Sequence, residues 1–244
     1  MDVFGGLFAG LAGAVPCLMF AAVATLIIGG IIWAYHARQK RREAMARLAA
    51  ELGLQYYPDD AWGMAARYSH LDLFQHGSSR RASNILTGLV DGRELVAFDY
   101  QYTTGSGKNQ TTHHYQAVIL TMPITGARLM VRRESFLDRM ASWVGWDDID
   151  FESDEFSRRY HVACQDRKFA YDVFHARLIE YMLACGQAPM MEFNGPLLLV
   201  YENGHGDTET LRRLIHIGRD VIRSIPDYVL NARGLGAVLP GGRP

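Results

Sequence analysis

The chain has 244 residues, 49% of them hydrophobic, and its 25 Lys and Arg against 26 Asp and Glu leave a net charge of −1. That balance excludes a general nucleic-acid binder, whose footprint is basic. The three cysteines, Cys17, Cys164 and Cys185, lack CxxC spacing and exclude a zinc-ribbon or thioredoxin-type signature.

From Val3 through Tyr35 there is no Asp, Glu, Lys, Arg or His. A helix needs about 20 mainly apolar residues to cross roughly 30 Å of hydrocarbon, and residues 15–35 supply them. Residues 1–35 therefore read as an N-terminal anchor with its span at about 15–35. Trp33 and Tyr35 sit where amphipathic rings favour the headgroup layer, and Arg38, Lys40, Arg41 and Arg42 follow at once. These six form the expected membrane interface, with the lipid bilayer as partner and anionic headgroups against the basic cluster. Only Asp2 precedes the apolar run, so it reads as a retained anchor rather than a cleaved signal peptide. The basic flank places the N-terminus outside and the C-terminal body in the cytoplasm, on the inner membrane of a single-pass protein. Gly6 and Gly10 form a GxxxG step, a route to a homodimer through the anchor.

Residues 36–53 read as a basic helical stalk ended by Gly53, with Met45, Leu48, Ala49 and Leu52 on one face to pack on the body. Outside residues 38–47 and Asp2, the chain holds 20 basic and 24 acidic residues. The body, residues 54–230, is expected to be α+β. Leu54–Tyr57 reads as a strand. Asn84–Val90 and Glu94–Thr103 flank Asp91-Gly92, a favoured two-residue hairpin turn. Thr111–Met122 and Arg128–Arg133 follow as two further strands of an antiparallel meander, separated by Pro123 and Gly126. In Glu94–Thr103, Val96, Phe98, Tyr100 and Tyr102 share one face while Ala97, Asp99 and Gln101 share the other.

A helix is expected from Ser135 to about Gly145, then an acidic connection, a strand at Tyr160–Cys164, a helix at Arg177–Cys185 and a strand at Leu197–Glu202. The last helix is well marked. Asp207 caps it, Leu211, Leu214, Ile215, Gly218, Val221, Ile222 and Ile225 form its apolar stripe, and Pro226 stops it. Its other face carries Arg212, His216, Arg219 and Arg223. Residues 231–244 read as a flexible tail.

Arg80-Arg81-Ala82-Ser83-Asn84, the run from Phe98 to Asn109, Asp148 to Ser153 and Asp166 to Asp172 together resemble a group of uncharacterised bacterial membrane-anchored proteins. The resemblance implies one N-terminal anchor and one cytosolic domain, and it brings no catalytic residues with it.

Gly105-Ser106-Gly107-Lys108 suggests a phosphate cradle, yet Tyr102 stands where a P-loop needs its first Gly and Asn109 where it needs Ser or Thr, so a hairpin loop is expected. His113 and His114 are adjacent on a strand and point to opposite faces, which argues against a shared metal; no metal and no cofactor are expected. His113 with Asp99 or Tyr115 across the hairpin reads as a polar cluster, and Asp99, His113 and His114 are the weak catalytic candidates, without a recognisable nucleophile. Asp148, Asp150, Glu152 and Asp154 alternate, so an extended chain sets four carboxylates along one edge, with Ile149 and Phe151 anchoring the connection. With Arg80, Arg81 and Lys108 they are candidates for partner binding. The expected function is a membrane-anchored binding, scaffold or sensing domain with a protein partner. The alternatives are a tethered enzyme of unrecognised type and an anionic-lipid-binding domain.

Overall fold

The computed structural model describes residues 3–133, 146–186, 189–204 and 207–234. The helix expected from Ser135 lies outside them, as do residues 235–244 of the tail expected at 231–244. The chain divides into two units, residues 1–46 and 47–244.

The first unit is helical. It belongs to α1, Val3–Leu52, a single helix of 50 residues. At 1.5 Å per residue such a helix is about 75 Å long, more than twice the hydrocarbon thickness. Its apolar part is a candidate membrane span, and Phe20, Leu26, Ile31 and Trp33 are all exposed. No charged side chain interrupts residues 3–35, and a continuous helix satisfies their backbone groups internally.

In the second unit the elements after α1 run β1 (Gln55–Asp59), α2 (Met64–Arg67), a 3-10 turn at Asp72–Phe74, β2 (Ser78–Val90), β3 (Arg93–Thr104) and β4 (Thr111–Arg133). There follow β5 (Asp147–Asp148), α3 (Asp154–Arg159), β6 (Tyr160–Cys164), α4 (Arg167–Val173), α5 (Ala176–Ala184), β7 (Met190–Asn203), α6 (Thr208–Arg223) and α7 (Asp227–Arg233). The fold is α+β. The strands form one antiparallel sheet in the order β1-β2-β3-β4-β6-β5, with β7 pairing β4.

β4 is the spine of that sheet. The sequence suggests two strands here, but Thr111–Arg133 is continuous, and Pro123 and Gly126 sit where its register with β7 breaks between Thr121 and Leu129. Proline cannot donate to a ladder, so the break falls where a ladder bond is missing anyway. Gly126 is needed for space: a Cβ there would lie 2.5 Å from the Phe169 ring.

The alternation read from β3 holds and defines two faces. Phe98, Tyr100 and Tyr102 pair with Ala117, Tyr115 and His113 of β4 on the first face. Residues of the 64–74 segment, including Met64, Tyr68, Leu71 and Phe74, cover it in one apolar cluster. The second face carries Leu95, Ala97, Asp99 and Gln101 opposite Leu120, Val118, Gln116 and His114. Here α6 packs so closely that a Cβ on Gly218 would lie 2.6 Å from Leu120 Cδ1. The Asp207 side chain accepts from the Thr210 amide and caps α6, as the sequence predicts. Within the second unit, Leu48 and Ala49 of the last turns of α1 are buried.

Candidate functional site

Among the described residues the strongest concentration of buried charge lies on the first face. Arg128, Met130 and Arg132 alternate along β4, so both guanidinium groups project to one side, and Glu192 of β7 stands opposite Met130. Asp72 enters from the 3-10 turn, with His76 four residues on. Asp72 is 2% exposed, Arg132 5% and Glu192 0%.

These groups form a connected set. Asp72 Oδ2 accepts from Arg132 Nη2 and lies 2.7 Å from His76 Nε2. The Asp72 backbone amide donates to Glu192 Oε2 at 2.7 Å. Arg128 Nε donates to Glu192 Oε1 at 3.0 Å, and the Arg128 guanidinium lies over the Trp146 ring. The two carboxyls are pushed in opposite directions. Burial opposes the ionised form of Asp72, but the hydrogen bond from His76 and the charge of Arg132 outweigh it and hold the carboxyl below its ordinary range. Burial dominates for Glu192 and raises it, with Arg128 offsetting only part.

An aromatic array continues from this cluster. Tyr102 lies between two imidazoles, with ring centroids 6.0 Å from His76 and 5.0 Å from His113. It stacks on Tyr115 at 5.5 Å, and their hydroxyls are 2.9 Å apart. His113 Nε2 is 2.7 Å from Thr104 Oγ1. The Tyr100 hydroxyl is buried without a hydrogen-bond partner among the described residues, and burial pushes this phenol up to about 12.

The weak catalytic candidates do not converge. His113 is on the first face, whereas Asp99 and His114 are on the second, in line with Gln116 and Gln101. Asp99 accepts from Asn84 Nδ2 at 2.8 Å and Gln116 Nε2 at 3.3 Å, and Tyr56 donates to Asn84. The polar cluster expected between Asp99 and His113 is therefore divided by the sheet. Among the described residues no group of three or more His, Cys, Asp or Glu is placed to hold a metal ion.

The other expected residues are scattered. Arg80 turns back on its own loop and donates to the carbonyls of Gln75, His76 and Gly77. Arg81 pairs with Asp59 at 3.2 Å, both exposed. Lys108 is exposed in the 3-10 turn Gly107–Asn109 that joins β3 to β4, so the glycine-rich loop connects two antiparallel strands. The alternation expected for the acidic connection ends early: after β5 the backbone is irregular, and Asp154 opens α3 with Ser153 as its cap. Asp150, Glu152 and Asp154 are exposed, while Ile149 and Phe151 are buried. Trp33, Tyr35, Arg38 and Lys40 are exposed along α1, and Arg41 and Arg42 are half-buried.

No family model matches the sequence, and no curated protein matches it. That outcome is consistent with the uncharacterised group the sequence resembles. Among solved structures the fold is similar to the crystal structure of the mycobacterial trehalose monomycolate transport factor A, TtfA, with a TM-score of 0.55. The match covers 76% of this chain and 96% of that chain at 11% identity. The likeness is one of fold.

Asp72, His76, Arg128, Arg132 and Glu192 belong to no motif in the sequence. Their signal is a charge inside an apolar run: Leu71-Asp72-Leu73-Phe74, Leu129 to Arg132 and Met191-Glu192-Phe193. Lone charges at such positions are rarely fully buried unless paired, so each implies a partner, though not which one.

Proposed function

We propose that this chain is a membrane-tethered accessory domain that acts by binding a protein partner at the cytoplasmic face of the inner membrane. The carrying observation is the combination of a long apolar N-terminal helix with a body whose fold is like that of TtfA, a transport factor. The separation of His113 from Asp99 and His114 by the sheet favours binding over the enzymatic alternative. The basic residues Arg38, Lys40, Arg41 and Arg42, next to the end of the apolar run, support the cytoplasmic orientation.

The test is purification of the full chain from its native membrane after mild crosslinking. A reproducible protein partner is the expected result, and its absence across replicates overturns the reading. Orientation is checked by a reporter fused after residue 230. Cytoplasmic activity is expected, and replacing the four basic residues by Gln should weaken that preference. A reporter active only on the outer side overturns the orientation.

A further inference from the structure

A groove of about 380 Å³ lies between the β2–β3 turn, the C-terminal half of α6 and α7. Its size falls in the range of small-molecule sites, roughly 300–1,000 Å³. Leu120, Pro123, Ile222, Ile225 and Leu230 make the apolar wall. Arg93, Arg219 and Arg223 stand along the same groove, with Asp91 and Asp227 as its acids.

The guanidinium groups are unequally satisfied. Arg219 grips the Asp91 carboxylate with both prongs of its fork, Nε to Oδ2 at 2.9 Å and Nη2 to Oδ1 at 3.0 Å. Arg223 donates to the same Oδ2 at 2.9 Å. One carboxylate thus bridges two arginines a helical turn apart, and those arginines hold it below its ordinary range. Asp91 is on the exposed two-residue turn with Gly92, both at positive φ. Arg93, two residues along, has no ion-pair partner among the described residues. Asp227 likewise has no ion-pair partner among the described residues, so the groove sets three arginines against two aspartates beside its apolar wall, with an arginine pair already shaped around a carboxylate.

We propose that this groove binds a single-chain aliphatic carboxylate, its tail along the Ile222, Ile225 and Leu230 wall and its head at Arg93 and the Arg219–Arg223 pair. Asp91, held by Arg219 and Arg223, occupies the head position as an internal competitor. The charge complementarity selects an anion over a cation, and the apolar wall selects a tailed carboxylate over a free inorganic ion. This site does not depend on the partner-binding reading.

The experiment titrates octanoate into the full-length protein held in nanodiscs of zwitterionic lipid, read by calorimetry against empty nanodiscs. Saturable binding is expected for octanoate, with none for octylamine. Arg93→Gln removes a cation that carries no ion pair among the described residues, so folding should be unaffected while affinity falls about tenfold, as expected for loss of a charge-assisted contact. Asp91→Asn removes the competitor and should raise affinity about tenfold. A merely structural Asp91 predicts no gain. Failure of octanoate to saturate, equal binding of octanol, or an unchanged affinity in Arg93→Gln each overturns the proposal. If Asp91→Asn lowers the melting temperature, Arg93→Gln alone decides.

Discussion

The backbone amide of Asp72 donates to Glu192 Oε2 at 2.7 Å, joining two acidic residues 120 positions apart inside the protein. The contact is tolerable because each carboxyl also has its own arginine, Arg132 for Asp72 and Arg128 for Glu192. Removing one partner of a buried pair strands a charge, at a cost of about 3–5 kcal/mol. Arg132→Met is therefore expected to lose about that much stability in chemical denaturation. Adding Asp72→Asn to it should recover part of the loss, because the stranded carboxylate is gone. A double variant as unstable as the sum of the single ones would remove the claim of direct coupling.

The pH dependence of the same cluster has two opposite signs. Asp72 has its folded value depressed, so its contribution is present above the ordinary carboxylate range and is lost as pH falls through the folded value. Glu192 has its folded value raised, so its contribution is complete below its ordinary range and is lost as pH rises through the folded value. Asp72→Asn should thus cost more at about pH 7 than in acid, whereas Glu192→Gln should cost more near about pH 4 than at about pH 7. Denaturation midpoints across that interval test both. Parallel trends for the two variants would contradict the opposed shifts.

What was legible in the sequence was whatever local chemistry decides. Asp207, the apolar stripe and Pro226 delimit α6 because a cap, a period and a ring each act within a few residues. Asp91-Gly92 marks the β2–β3 hairpin because few other pairs accept positive φ at both turn positions. α2, with four residues, and α4 and α7, with seven each, are too short for periodicity to speak. β4 was hidden because Pro123 and Gly126 read as a break, yet pairing with β6 and β7 carries the strand through. The ion cluster was out of reach for another reason. Asp72, Arg132 and Glu192 carry their charges on separate elements, and only the sheet topology brings them together.

Gly77 offers a contrast with Gly53 that isolates the fit of the His76 loop. Both have positive φ, +60° at Gly77 and +67° at Gly53, but a Cβ on Gly77 would lie 2.4 Å from the Thr103 carbonyl oxygen while one on Gly53 meets open space. Alanine at either site costs about 1 kcal/mol or more through the backbone alone. At Gly77 the clash is with backbone, which cannot swing away, so Gly77→Ala is expected to lose about 2 kcal/mol more than Gly53→Ala. It should also displace His76 from Asp72, because the carbonyls Arg80 gathers are those of residues 75–77. The His76 imidazole NMR signals read that displacement. Equal losses at the two glycines, with those signals unmoved, would show that the loop is not held as described.

The placement of His113 and Asp99 on opposite faces predicts how their substitutions combine. His113 contacts Tyr102 and Thr104 on the first face, whereas Asp99 ties Asn84 to Gln116 on the second. Groups with no common partner add to within about 0.5 kcal/mol, while members of one network couple by more. His113→Ala and Asp99→Ala should therefore be additive in stability. Asp99→Ala and Gln116→Ala should not be, because Gln116 is buried and loses an acceptor when Asp99 is removed. The first pair tests the sheet as a divider, and the second shows that the measurement detects coupling where the structure has it. Strong coupling between His113 and Asp99 would join the two faces, and with it the catalytic alternative would regain its footing.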